Sequence, residues 1–321
     1  MSDTADLATA LRSGDRRALA RAITLVESTR DDHREEAESL LGAVLDATGR
    51  SIRVGISGPP GSGKSTLIEA LGLRVVGQGH RVAVLAVDPS SVRTGGSILG
   101  DKTRMVDLGR SDAAFIRPSP TGGSLGGVAR RTREAMLCCE AAGFDVVFVE
   151  TVGVGQSETA VADMVDMFAV VLAPGGGDEL QGIKRGIVEL ADALVINKAD
   201  GDLAAAAHRA AADYAAALGF VRARSEAWTP TVLECSALEN RGVNELWATI
   251  ESFRASLTAA GEFDIRRQDQ ARSWMWAELT DTMVDRLRAD PDVARRLAEA
   301  EQAVIADEIL PPVAARAILD A

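Results

Sequence analysis

The segment Gly58-Pro59-Pro60-Gly61-Ser62-Gly63-Lys64-Ser65 constrains this chain more than any other stretch of it. It fits GxxxxGK[ST], and its flanks are the ones the motif requires. The β-branched run Ile52–Ile56 reads as a strand before it, and Thr66–Val76 as a helix after it. Glycines let backbone N–H groups turn inward around phosphates, while the following helix presents its positive end to them. Gly61, Ser62, Gly63, Lys64, Ser65 and Thr66 are therefore the expected phosphate-binding residues, with Lys64 neutralising β/γ charge and Ser65 holding Mg²⁺.

Further short apolar runs follow at Val82–Val87, Val146–Val149, Phe168–Leu172, Leu194–Ile196 and Thr231–Glu234, with Phe115–Ile116 a weaker candidate. Runs of this kind, separated by helix-length segments, are typical of strands buried on both faces of a parallel sheet. The pattern predicts an α/β P-loop NTPase fold with a mostly parallel, doubly wound sheet, whose ligands sit beyond the carboxyl ends of the strands. Residues 1–50 predict two amphipathic helices before this core, which spans 51–255. Residues 256–321 predict a separate C-terminal helical segment, with breaks near Pro291 and at Pro311–Pro312, whose apolar face could pair two chains or cover the core.

Asn197-Lys198-Ala199-Asp200 closes the run Leu194–Ile196 and has the form NKxD. A carboxylate at Asp200 can accept from the guanine N1–H and exocyclic amine, which adenine does not offer. An unmatched buried acceptor disfavours the wrong base by ~1 to 3 kcal/mol. Ser236-Ala237-Leu238 follows the run Thr231–Glu234, where a backbone N–H could meet the guanine oxygen. GTP and GDP are the expected ligands.

Acids near strand ends supply the remaining phosphoryl-transfer chemistry. Asp88 follows Val82–Val87 and Glu150 follows Val146–Val149, and with Ser65 they are expected at Mg²⁺; Asp101, which closes a glycine-rich stretch, reads equally as a metal ligand or a turn residue. Glu150-Thr151-Val152-Gly153 stands where other P-loop proteins carry DxxG, so Glu150 would act on the metal and the Gly153 N–H on the γ-phosphate. Gln156 or Glu158 could orient water, and so could Lys184 if a partner orders it. Arg130, Arg131 and Arg133 read as the solvated face of a helix.

A net charge of -12 and a pI near 4.9 argue against nucleic acid as a partner, which normally needs clustered Lys and Arg. The three cysteines lack metal spacing and read as reduced, buried thiols; His33, His80 and His208 are scattered. The acidic N-terminus does not resemble a secretory or mitochondrial leader, and no apolar run approaches the ~20 residues of a membrane span. A cytoplasmic protein without a membrane role is expected.

Seven segments taken together resemble the methylmalonyl-CoA mutase-associated GTPase family of the MeaB/ArgK type. They are residues 55–66, 87–91, 95–105, 115–127, 150–158, 173–192 and 197–200, so the resemblance covers nearly the whole chain. It implies a homodimeric GTPase, with 256–321 as its C-terminal helical dimerisation segment, that chaperones an adenosylcobalamin-dependent acyl-CoA mutase, gating cofactor delivery and protecting the mutase. It also implies that Ser65, Asp88, Asp101 and Glu150 form the metal site and that 150–158 responds to the γ-phosphate. Gly175–Gly186 would be a further switch loop, in which Asp178, Gln181 and Lys184 couple nucleotide state to the mutase and reorganise the GTPase site. Without the resemblance that loop is only glycine-rich. Two other classes remain open on the residues: an ATP-consuming kinase, which NKxD disfavours, and a GTP-dependent metallochaperone, which calls for a Cys/His site.

Overall fold

The computed structural model describes residues 2–88, 105–120, 125–151, 157–174, 185–220 and 223–319. The chain forms two compact units, Met1–Gln268 and Asp269–Ala321. The first is built on a seven-stranded sheet of β1 (Ile52–Ser57), β2 (Val82–Asp88), β3 (Ala114–Pro120), β4 (Val146–Thr151), β5 (Met167–Leu172), β6 (Ala193–Ile196) and β7 (Thr231–Glu234). Their order is β3-β2-β4-β1-β5-β6-β7, and every pairing is parallel. The α/β expectation holds, and the weak run Phe115–Ile116 is the edge strand β3.

Nearly continuous apolar runs form these strands because both faces are covered. Within β4, Val147 and Val149 enter one core and Val146 and Phe148 the other, as a period of two demands. The first core is covered by α1 (Ser2–Arg12), α2 (Arg16–Val26), α3 (Asp31–Val44), α6 (Leu125–Ala141), α7 (Ser157–Ala162), α8 (Arg185–Leu190) and α9 (Ala204–Leu218). The second is covered by α4 (Lys64–Gly77), α5 (Val106–Arg110) and α10 (Val243–Ala259).

Among the described residues three α-helices, not two, precede the core. Gly14 at φ +80° ends α1, and Asp15 starts α2 by accepting from the N–H groups of Arg17 and Ala18. Arg130, Arg131 and Arg133 also depart from the expectation. They are half-buried, and burial lowers the pKa of Arg131 and Arg133, because helices pack on the face that charge alone had suggested was open.

α11 (Glu262–Ala289) begins in the first unit and runs on into the second, which adds α12 (Pro291–Ile305) and α13 (Pro311–Leu319). Pro291 opens α12 behind an Asp290 N-cap, so the prolines start helices here. Among the described residues no helix is long and apolar enough to cross a membrane.

Candidate nucleotide site

The predicted phosphate loop joins β1 to α4 at the carboxyl end of the sheet. Two of its glycines are required by contact as well as by conformation. Gly58 has φ +143°, and a Cβ there would lie 2.0 Å from the Val171 carbonyl oxygen on β5. Gly63 has φ +87°, and a Cβ there would lie 2.5 Å from Asn197 Nδ2. Gly63 is also the N-cap of α4 and makes no side-chain cap hydrogen bond, which leaves the helix N-terminus facing the loop as an anion site. Lys64 is buried, and its Nζ donates to the carbonyls of Gly58 (2.8 Å) and Pro59 (3.1 Å).

Ser65, one residue on, points under the loop. Its Oγ donates to Glu150 Oε1 at 2.7 Å, and both residues are buried. Glu150 arrives there because β4 lies beside β1, with Glu150 in register with Ile56 and, across the other edge, with Ala86. Asp88 closes β2 two residues beyond that register, at the same end of the sheet. The hydroxyl and carboxylate are hard oxygen donors of the kind that suits Mg²⁺. Thr151, next to Glu150, donates from Oγ1 to Ser57 Oγ at 2.8 Å and so ties the ends of β4 and β1 together. Nothing in the sequence singled out this pair, since both hydroxyls look like ordinary strand residues.

The base-reading segments meet the loop from β6 and β7. Asn197 is 2% exposed and donates through Nδ2 to the Ser62 carbonyl at 2.9 Å, while its Oδ1 accepts from the Ala237 N–H at 3.1 Å. One side chain therefore holds the phosphate loop and the Ser236–Leu238 segment together. Ser236 is fully buried; its Oγ donates to Asp200 Oδ2 and accepts from the Glu239 N–H at 3.1 Å. Lys198 adopts φ +59°, with its side-chain stem alongside Gly63. Leu238 is largely exposed and Thr66 is exposed. Burial pushes the neighbouring Cys235 thiol up to about 12, so it is not a nucleophile.

The described site thus gathers Gly61, Ser62, Gly63, Lys64, Ser65, Glu150, Asn197, Asp200, Ser236 and Ala237 at one end of the sheet. Asp101, Gly153, Gln156, Asp178, Gln181 and Lys184 lie outside the described residues. Glu158 is buried in the first turn of α7. Among the described residues no group of three or more His, Cys, Asp or Glu is arranged to hold a metal.

The model of the methylmalonyl Co-A mutase-associated GTPase MeaB family matches residues 19–292. The chain belongs to this family. A Mycobacterium tuberculosis protein named "Probable GTPase" is 57% identical over 319 residues, covering 99% of this chain and 95% of that protein. The Escherichia coli GTPase ArgK is 52% identical over 289 residues, 89% of this chain and 86% of its own. The mouse methylmalonic aciduria type A homolog, mitochondrial, is 49% identical over 325 residues, covering 98% of this chain and 78% of that one. A crystal structure described as an LAO/AO transport system kinase superposes with a TM-score of 0.80 at 41% identity, over 100% of this chain and 97% of that one. The family is one of GTPases, and this member is a guanine-nucleotide-binding GTP hydrolase.

Proposed function

We propose that the chain is the GTP-driven chaperone of an adenosylcobalamin-dependent acyl-CoA mutase, with methylmalonyl-CoA mutase as the partner. On this reading it gates cofactor loading and protects the mutase. The observation that carries it is that Asn197 joins the phosphate loop to the Ser236–Leu238 segment, whose Ser236 holds Asp200, which supports guanine as the base. The family's own description supports the partner.

In the Michaelis complex the α4 N-terminus and loop amides bind the phosphates, and Lys64 exchanges the Gly58 and Pro59 carbonyls for phosphate oxygens. Asp200, oriented by Ser236, accepts from the guanine edge, with the Ser236–Leu238 backbone opposite the guanine oxygen. Mg²⁺ fits the Ser65 and Glu150 donors, with Asp88 and Asp101 as further members of the set, and would neutralise charge that develops on the phosphates. Gly153 is assigned to sensing the γ-phosphate, and Asp178, Gln181 and Lys184 to coupling nucleotide state to the mutase. The chain acts in the cytoplasm as a homodimer, for which Trp276, Leu279 and Met283, exposed along one stripe of α11, offer an apolar face.

The test is hydrolysis of GTP and ATP by the purified chain, with and without a cobalamin-dependent methylmalonyl-CoA mutase from the same source. GTP-selective turnover that rises with the mutase is expected. Turnover indifferent to the mutase would remove the partner assignment, and a preference for ATP would remove the base assignment.

A further inference from the structure

Two consecutive arginines at the start of α11 reach beneath the sheet, at the end opposite the nucleotide site. Arg267 grips Asp166 through two parallel bonds, Nε to Oδ1 at 2.8 Å and Nη2 to Oδ2 at 2.6 Å, and also donates to the carbonyls of Gly49 and of Ser51 (2.7 Å). Arg266 donates to Asp192 Oδ2 at 3.3 Å and to the Asp166 carbonyl. Asp166 is 0% and Asp192 3% exposed, so neither carboxylate is a surface charge.

Asp166 immediately precedes β5, and Asp192 immediately precedes β6. Each also fastens the base of the neighbouring strand. Asp166 Oδ2 accepts the Arg53 N–H of β1 at 2.8 Å, and Asp192 Oδ2 accepts the Phe168 N–H of β5 at 2.8 Å. The arginine pair therefore closes the lower ends of β1, β5 and β6, three adjacent strands. The upper ends of these same strands carry the nucleotide site: β1 enters the phosphate loop, β6 enters Asn197–Asp200, and β5 stands between them. There β5 abuts Gly58 through the Val171 carbonyl and accepts the Asn197 N–H on the Leu172 carbonyl at 2.8 Å. A shift of β5 against either neighbour would alter the spacing between the phosphate-binding and base-reading halves.

We propose that Arg266 and Arg267 are positioning residues for nucleotide binding, holding β1, β5 and β6 in the register that sets the phosphate loop against the base-reading segment. They also make the seat of α11 sensitive to nucleotide occupancy. The proposal rests on the phosphate loop and 197–200 being where nucleotide binds.

The experiment uses the full chain carrying R266M, R267M, both together, and R267K, with nucleotide affinity measured on the active fraction. The double variant should bind GDP about tenfold more weakly and raise KM for GTP similarly, with kcat within about twofold, because a small misplacement of binding groups weakens contacts along the whole ligand. R267K should fall between, since lysine keeps the charge but not the two-pronged fork. Lower thermal stability with unchanged affinity in the active fraction would reduce the pair to a brace and overturn the proposal. A second measurement needs no variant: GDP should slow amide exchange at Arg53, at Phe168 and in residues 262–268. Protection of the α4 N-terminus and 197–200 without that distal protection would refute the coupling alone. Absence of protection at α4 and 197–200 would refute the nucleotide placement beneath it.

Discussion

The two ends of the central sheet surround their charged residues differently. At the carboxyl end the charged groups also meet neutral dipoles: backbone carbonyls accept from Lys64, the Ser65 hydroxyl donates to Glu150, and the Ser236 hydroxyl donates to Asp200. At the amino end, opposite charges hold them: Arg53 meets Glu140 at 2.8 Å, Arg267 meets Asp166 at 2.6 Å, and Arg266 meets Asp192 at 3.3 Å. A dipole can be exchanged for a phosphate or a base edge at modest cost, whereas a buried ion pair that loses one partner strands a charge. The first arrangement suits ligand exchange and the second suits permanence.

That contrast predicts the largest stability loss at the end without ligand. Arg53→Met leaves Glu140 buried without its guanidinium and should destabilise the first unit by about 3 to 5 kcal/mol, read by denaturant unfolding, while the folded fraction still binds nucleotide. A loss confined to nucleotide binding would break the comparison.

Lys64→Ala should do the reverse. Hydrolysis should fall by about 10² to 10³-fold, the range for removing one preorganised electrostatic contact, with little change in unfolding midpoint. Single-turnover hydrolysis and a thermal melt on one preparation decide it, and an equal loss of stability would show that Lys64 is part of the scaffold.

Asp200→Asn should cost GTP about 1 to 3 kcal/mol of discrimination while sparing the phosphate contacts, because the site loses an acceptor matched to the guanine edge. Competition of GDP, XDP and ADP for the site measures this, and unchanged selectivity would move base reading elsewhere.

The smallest expected effect is a pH dependence. Burial opposes ionisation of Glu140, but the Arg53 guanidinium, the Ser51 hydroxyl and the Gly49 N–H outweigh it and hold the carboxyl below its usual range. A depressed native value adds stability above the ordinary glutamate pKa of about 4.3, and that contribution is lost as pH falls through the native value. Unfolding midpoints of the wild-type chain and Glu140→Gln should therefore converge as the solution is acidified. Parallel profiles would deny Glu140 this role.

Much of the carboxyl end is legible in the sequence, for reasons of local chemistry. Gly58–Ser65 and Asn197–Asp200 are contiguous runs whose side-chain types imply a phosphate cradle and a guanine reader, and Glu150 follows a strand that is apolar throughout. Little of the amino end is legible in the same way. Arg53, Glu140, Asp166 and Asp192 look like surface charges at segment ends, and Arg266 and Arg267 lie about a hundred residues from Asp166. No local pattern links them, and the half-buried arginines of α6 mislead for the same reason.

The sequence by itself determined the strands, the phosphate loop and the base-reading tetrapeptide, because backbone propensity, turn chemistry and ligand chemistry act over a few residues. Only the tertiary structure decided that β5 stands between the two binding segments, that Asn197 fastens one to the other, and that α11 pins the strands from below. Those contacts join residues far apart in the chain, and their partners are chosen by strand order and burial rather than by any neighbour in sequence.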